Sequence, residues 1–151
     1  MRKRTKRKVY ESTNPVEIAI AGARITDEAR LQFLRDIENG SLTAFRNGSA
    51  TKGDWHKINA VVRLAESMAD AGIGVEVMVP AKIAEMHLLK AHERYERIGK
   101  MGSTGLGLQS FQDILEYHEL QRTAVSRSVY ESHINSVRNK IISKSPKIKF
   151  L

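Results

Sequence analysis

The sequence has no cysteine among its 151 residues, and it contains little proline and few aromatic residues. The lack of cysteine excludes disulfides, thiolate zinc sites and cysteine nucleophiles. No apolar run approaches the roughly 18 residues that are needed to cross a bilayer, and the basic start lacks the apolar stretch of a secretory signal. We therefore expect a soluble, cytoplasmic protein with no membrane partner. With 41% hydrophobic residues, the chain can bury a core of its own.

Positive charge is concentrated at the two ends of the chain, although the net charge of the whole is +8. The basic residues near the start are Arg2, Lys3, Arg4, Lys6, Arg7 and Lys8, and those near the end are Arg138, Lys140, Lys144, Lys147 and Lys149. Residues 9–137 hold 14 basic and all 17 acidic residues, so their net charge is −3. We expect a flexible basic arm at residues 1–10, a helical domain at 11–145 and a basic tail at 146–151.

Apolar periodicity and capping residues predict helices along most of the domain. One helix is expected from Asn14-Pro15, and a second from Thr26 to a stop at Gly40, followed by a short segment to Phe45. The clearest helix begins at Thr51, which forms a capping pair with Asp54. Its apolar stripe consists of Trp55, Ile58, Val61, Val62, Ala65, Met68 and Ala69.

Three further segments complete the predicted fold. The β-branched stretch 74–79 could be extended, and Pro80 is expected to begin a helix with a seam of Ala84, Leu88, Ala91, Tyr95 and Ile98. After a connector at 100–107, a helix is expected at 108–123, and a last helix begins at a capping box of Ser128 and Glu131. The prediction is an all-α, compact bundle of five to six helices. The seam could pack within the chain or serve a homodimer.

The sequence predicts no catalytic residue, metal site or cofactor. The five histidines, His56, His87, His92, His118 and His133, include no pair three or four residues apart, so none forms a helical chelate. His118 lies on an apolar stripe, and we expect it to be a hydrogen-bonded core residue. The glycine-rich connector follows no buried strand and lacks the Lys-Ser/Thr pair of a phosphate-binding loop.

One enzymatic pattern stays open at the start of the last helix. Arg127 precedes His133 with five residues between them, which is similar to the Arg-x(4–6)-His signature of the helical HEPN ribonucleases. That resemblance implies a dimer in which Arg127 stabilises phosphate charge and His133 acts as acid and base on RNA.

The last two predicted helices also allow a helix-turn-helix. Residues 115–123 would be the supporting helix, Ala124-Val125 the turn, and residues 126–140 the recognition helix. Bases or phosphates could then be reached by Arg127, Ser128, Ser132 and Arg138. On the supporting helix, Asp113, Glu116 and Glu119 form an acidic edge that could instead dock a basic segment.

The basic ends favour a polyanionic partner. Clustered cations bury nothing and gain most beside dense phosphate charge, where each contact releases a counterion. We therefore predict nucleic-acid binding, with DNA favoured over RNA, through both termini and the last helix. The alternative is an adaptor or inhibitor that binds a protein of host defence or transcription.

Four stretches carry a resemblance that spans nearly the whole chain: NPVEIAIAGARIT, LTAFRNGSATKGDW, RLAESMADAGIG and EYHELQRTAVSRSVYE. They resemble a group of small uncharacterised helical proteins encoded by phages and prophages of proteobacteria. The resemblance implies a mobile-element origin, a bacterial cytoplasm and an accessory or regulatory role. It transfers no catalytic residue.

Overall fold

The computed structural model describes residues 28–144, and five α-helices make up most of this range. They are α1 (Glu28–Arg46), α2 (Lys52–Asp70), α3 (Met78–Ile98), α4 (Gly105–Ala124) and α5 (Arg127–Lys144). A short 3₁₀ turn, Val75–Val77, leads directly into α3. The predicted all-α bundle is confirmed for this part of the chain, whereas the helix expected from Pro15 lies outside the described residues.

Helix α2 occupies the centre of the bundle and packs against α1, α3, α4 and α5. Its predicted stripe is buried apart from the half-buried Trp55, and Ile58, Val62, Ala65 and Met68 are fully enclosed. The expected capping box is also present: the Thr51 hydroxyl accepts from the Asp54 amide at 3.2 Å, and the Asp54 carboxylate accepts from the Thr51 amide at 2.8 Å. Local sequence and tertiary packing therefore agree in this helix.

The main core lies between α1, α2, α3 and α4. The rings of Phe45 and Phe111 pack with their centroids 5.1 Å apart. Of the predicted seam on α3, Ala84, Leu88 and Ala91 are buried and pack within the chain, whereas Ile98 at its end is 50% exposed. A second cluster, Leu31, Met68 and Tyr130, joins α1, α2 and α5.

The prediction that Gly40 ends a helix was wrong, because α1 continues to Arg46. Beyond the glycine, Leu42 and Phe45 enter the core, and the buried Ser41 hydroxyl donates to Asp54 at 2.9 Å. Glycine inside a helix costs only about 1 kcal/mol relative to alanine, which this packing outweighs.

The expected extended segment at 74–79 is instead helical. Gly74 adopts a left-handed conformation with φ of 65°, and the chain then turns through Val75–Val77 into α3. Helix α3 begins at Met78, so Pro80 lies in its first turn, where its missing N–H breaks no helical bond. Tertiary packing of Val77, which is buried, overrides the β propensity of this stretch.

The boundaries around α4 and α5 also differ from the prediction. Helix α4 begins at Gly105 with Thr104 as its cap, and the preceding connector is anchored by buried Met101, which forms an isolated bridge with Ala50. At the start of α5, the Ser126 hydroxyl accepts from the Val129 amide, so the predicted capping box at Ser128 is wrong.

Candidate nucleic-acid interface

Helix α5 carries the predicted binding residues that fall within the described range. Arg127, Arg138 and Lys140 are exposed, and Lys144 is the last residue of the helix. The opposite face of α5 packs inward through Tyr130 and Val137. The remaining candidates lie outside the described residues: Arg2, Lys3, Arg4, Lys6, Arg7, Lys8, Lys147 and Lys149. The helix thus presents cations to solvent while its inner face fixes it to the bundle.

The exposed face of α5 changes in charge along its length. At its start, Arg127 donates to Glu131 at 2.9 Å, so these two charges compensate each other. No acidic residue follows Glu131 in the sequence, whereas Arg138, Lys140 and Lys144 do. The basic character of the helix is therefore confined to its C-terminal half, next to the basic tail.

Arg127 and His133 do not face one point on α5. Six residues along an α-helix correspond to a rotation of about 600°, which places the two side chains on different faces. His133 turns towards α2, where its Nδ1 atom lies 2.8 Å from the Ser67 hydroxyl, while Arg127 bonds Glu131 on the exposed side. This geometry gives the ribonuclease hypothesis no support within one chain.

The packing of α4 and α5 also differs from that expected for a helix-turn-helix. Only Val125 and Ser126 separate α4 from α5, and α5 makes its main packing contacts with α2 rather than with α4. In a helix-turn-helix, the supporting helix packs against the recognition helix. The exposed face of α5 can still meet a polyanion, but α4 does not serve as the expected support.

A buried ion-pair cluster, which sequence reasoning missed, lies beneath the α4–α5 junction. Arg122 is only 1% exposed, and its guanidinium donates to both Glu38 oxygens, at 2.7 and 3.3 Å, and also to Glu119. Glu119 in turn accepts from Arg35 at 2.7 Å. The cluster joins α1 to α4 across 84 residues of sequence.

The cluster sets the charge states of its members. Burial raises the pKa of Glu38, although the Arg122 guanidinium opposes this shift. Partial burial opposes ionisation of Glu119, but Arg122 and Arg35 outweigh it and lower the pKa of that carboxyl. Burial also disfavours the charged form of Arg122, yet the two carboxylates raise its pKa. Arg122 is therefore a permanent cation held by two acidic groups.

His118 belongs to a second buried network that continues from this cluster. Gln121 donates through Nε2 to the carbonyls of Ala65 and Ile73, so its Oε1 is the acceptor that faces His118 Nδ1 at 3.2 Å. His118 Nε2 then accepts from the Tyr130 hydroxyl at 3.0 Å. Burial, with help from the Arg122 charge, lowers the pKa of His118 to about 4. The expectation of a hydrogen-bonded core histidine is confirmed.

The acidic edge predicted on α4 is divided in the folded protein. Glu119 points into the ion-pair cluster, whereas Asp113 and Glu116 accept hydrogen bonds from Gln109 and Gln112 on the same helix. A groove of about 590 Å³ separates this side of α4 from α1. Since both signs of charge line it, the groove offers no single electrostatic preference.

Residues 28–144 include no group of three or more histidines or acidic residues that could hold a metal ion. Within the same range, no helix is long and apolar enough to span a bilayer. No family model, curated protein or solved structure matches the chain.

Proposed function

We propose that this chain is a non-enzymatic accessory protein of the phage type that binds nucleic acid in the cytoplasm of a bacterial host. Its contacts are the basic residues in the C-terminal half of α5, the basic tail that follows and the basic arm at residues 1–10. DNA is the preferred partner. The phage-type role rests on the sequence resemblance alone, whereas the binding proposal also draws on the position of α5.

The observation that carries the proposal is the charge of the last twenty residues. Residues 132–151 contain five cations and no acidic residue. The helical part of this segment packs against α2, with Val137 buried and with Arg138 and Lys140 exposed. Because the helix backbone is already ordered by this packing, binding through its cations does not carry the entropy cost of ordering a flexible chain.

Duplex DNA suits such a surface for two physical reasons. It carries one negative charge per about 1.7 Å of helix axis, so several closely spaced cations can each meet a phosphate. Its major groove also admits an α-helix, whereas the deep major groove of an RNA duplex does not. The serine and asparagine side chains on the exposed face of α5 supply further hydrogen-bonding groups.

The test is a salt titration of binding to a labelled 30-base-pair duplex, read by fluorescence anisotropy. The dissociation constant should rise steeply with salt concentration. For each phosphate contact, the logarithm of the association constant falls by roughly 0.9 per log unit of salt concentration. In the variant R138Q/K140Q, the slope of this logarithm against the logarithm of salt concentration should become shallower by about 2. Removal of residues 1–8 should make it shallower still.

A matched control changes the same net charge elsewhere. The variant K57Q/R94Q removes one exposed lysine and one exposed arginine from α2 and α3, and it should keep the slope of the original protein. Equal losses in the two double variants would show that only net charge matters and would refute an interface on α5. The same titration with RNA tests the preference for DNA, and absence of binding at 50 mM salt would refute the proposal as a whole.

A further inference from the structure

Helix α3 has a second apolar stripe, opposite to the one that packs into the core. Val79, Ile83 and Met86 are 67%, 45% and 47% exposed, and they follow the 4, 3 spacing of a helix-packing seam. On neighbouring α4, Leu106 and Tyr117 flank this stripe across a shallow groove. These five side chains are called the α3 patch below.

The α3 patch is large enough to suggest a binding surface. The exposed fractions of its five residues add up to nearly three complete residues, which makes an apolar patch on the order of a few hundred Å². Patches of this size on soluble proteins are often functional. A standard protein–protein interface covers about 800 Å² on each partner, and a little over half of that area is apolar. The α3 patch together with the polar residues around it therefore approaches the size of the smaller specific interfaces.

The charges at the two ends of the stripe indicate which partner fits. Glu76 lies seven residues before Ile83 and Lys90 lies seven residues after it, and both side chains are exposed. Glu76 belongs to the 3₁₀ turn that leads into α3, and Lys90 lies about two helical turns beyond Ile83, so the two charges lie near opposite ends of the stripe. The stripe is therefore acidic at one end, apolar in the middle and basic at the other end.

Such a pattern is complementary to itself in the antiparallel direction. If two α3 helices cross about a two-fold axis near Ile83, Glu76 of each chain meets the partner's Lys90, and Val79 meets the partner's Met86. A parallel arrangement would instead set like charges side by side, which is unfavourable. Lys82, at the edge of the stripe, already bonds Glu66 and Glu85 of its own chain and needs no charge from the partner.

We propose that a second copy of this chain covers the α3 patch, in an antiparallel α3–α3 contact centred on Ile83. This dimer goes beyond the proposed nucleic-acid binding and does not depend on it, since α5 is not part of the contact. Because the patch is small, we expect a dissociation constant in the micromolar range.

The test is sedimentation velocity on the full chain, without nucleic acid, from about 1 to 200 μM protein. The sedimentation coefficient should rise from that of a monomer to that of a dimer. The variant I83E should raise the dissociation constant at least about 100-fold, since it places a charge at the centre of the contact. F33E, which changes a similarly exposed side chain on α1, is the matched control and should leave the dimer intact.

Charge reversal tests the antiparallel direction. E76K and K90E should each weaken the dimer by about tenfold, and the double variant E76K/K90E should restore it, because the pair is then exchanged rather than broken. Circular dichroism verifies that each variant remains folded. A double variant no stronger than the single ones would overturn the antiparallel register.

A chain that stays monomeric at 200 μM would overturn the dimer and leave the α3 patch to another protein or to residues outside the described range. A dimer unaffected by I83E would also overturn the proposal, since it would have to form through a different surface.

Discussion

Acidification should destabilise this protein through His118. The imidazole is fully buried, donates through Nδ1 to Gln121 and accepts at Nε2 from Tyr130. Protonation would turn Nε2 into a donor and leave the Tyr130 hydroxyl facing it without an acceptor. It would also place a charge in a fully buried site near the Arg122 guanidinium, and this burial, with the Arg122 charge, lowers the pKa of His118 to about 4 from its ordinary 6.5.

The sign and size of the effect follow from proton linkage. Because the folded-state pKa is depressed, the stabilisation is complete above pH 6.5 and is lost as the pH falls towards 4. Between these values the unfolded chain takes up the proton and the folded chain does not. At pH 5 the loss from this one group amounts to about 2 kcal/mol of unfolding free energy, a large part of the stability of an ordinary domain.

Urea unfolding at pH 7.5 and pH 5.0 measures this loss. The unfolding free energy of the original protein should fall between the two pH values by about 2 kcal/mol more than that of H118Q, because glutamine keeps hydrogen-bonding groups but does not titrate. The carboxylates titrate in both proteins, so the difference isolates His118. An equal pH dependence in the two proteins would refute the assignment of a neutral, buried His118.

Two further predictions concern stability. R122M should lower the unfolding free energy by about 3–5 kcal/mol in urea titrations at neutral pH, since it leaves Glu38 buried without its cation. Adding E38Q should recover part of that loss, whereas R127M, which breaks an exposed pair, should change stability by less than about 0.5 kcal/mol; equal effects of R122M and R127M would contradict the buried cluster. T51A should lower stability by about 1 kcal/mol through loss of the α2 cap, and T51S should not; an unchanged T51A would show that the cap is not needed.

The fold was predictable where local signals and packing agree. In α2, the apolar stripe and the cap of Thr51 point to the same helix, and the structure confirms both. In α1, the glycine signal at Gly40 is local, whereas the contacts of Leu42 and Phe45 that extend the helix come from distant parts of the chain. Patterns in a single sequence reveal local signals such as caps and apolar stripes, but they do not reveal contacts between distant parts of the chain.

The ion-pair cluster shows the same limit for charged residues. A cation near a helix C-terminus, such as Arg122, suits the helix dipole on an exposed surface and gives no sign of burial by itself. Its position seven residues after Leu115 and four after His118, on the buried side of α4, was the available signal. Glu38 likewise lies four residues before Leu42 and seven after Leu31, both buried. A charged residue on each of two apolar stripes suggests a pair, but only the tertiary fold shows that these two meet.

The internal pairing of charges also determines what remains for an outside partner. Within the bundle, Glu38 and Glu119 are occupied by Arg122 and Arg35, while Glu66 and Glu85 bind cations of α2 and α3. Residues 28–144 hold sixteen basic and fourteen acidic residues, so the field of the helical core nearly cancels. By sequence count, the excess of basic over acidic residues lies in residues 1–10 and after Glu131. If the proposed binding is correct, a polyanion should be attracted to these positions, and neutralising them should abolish binding while the bundle stays folded.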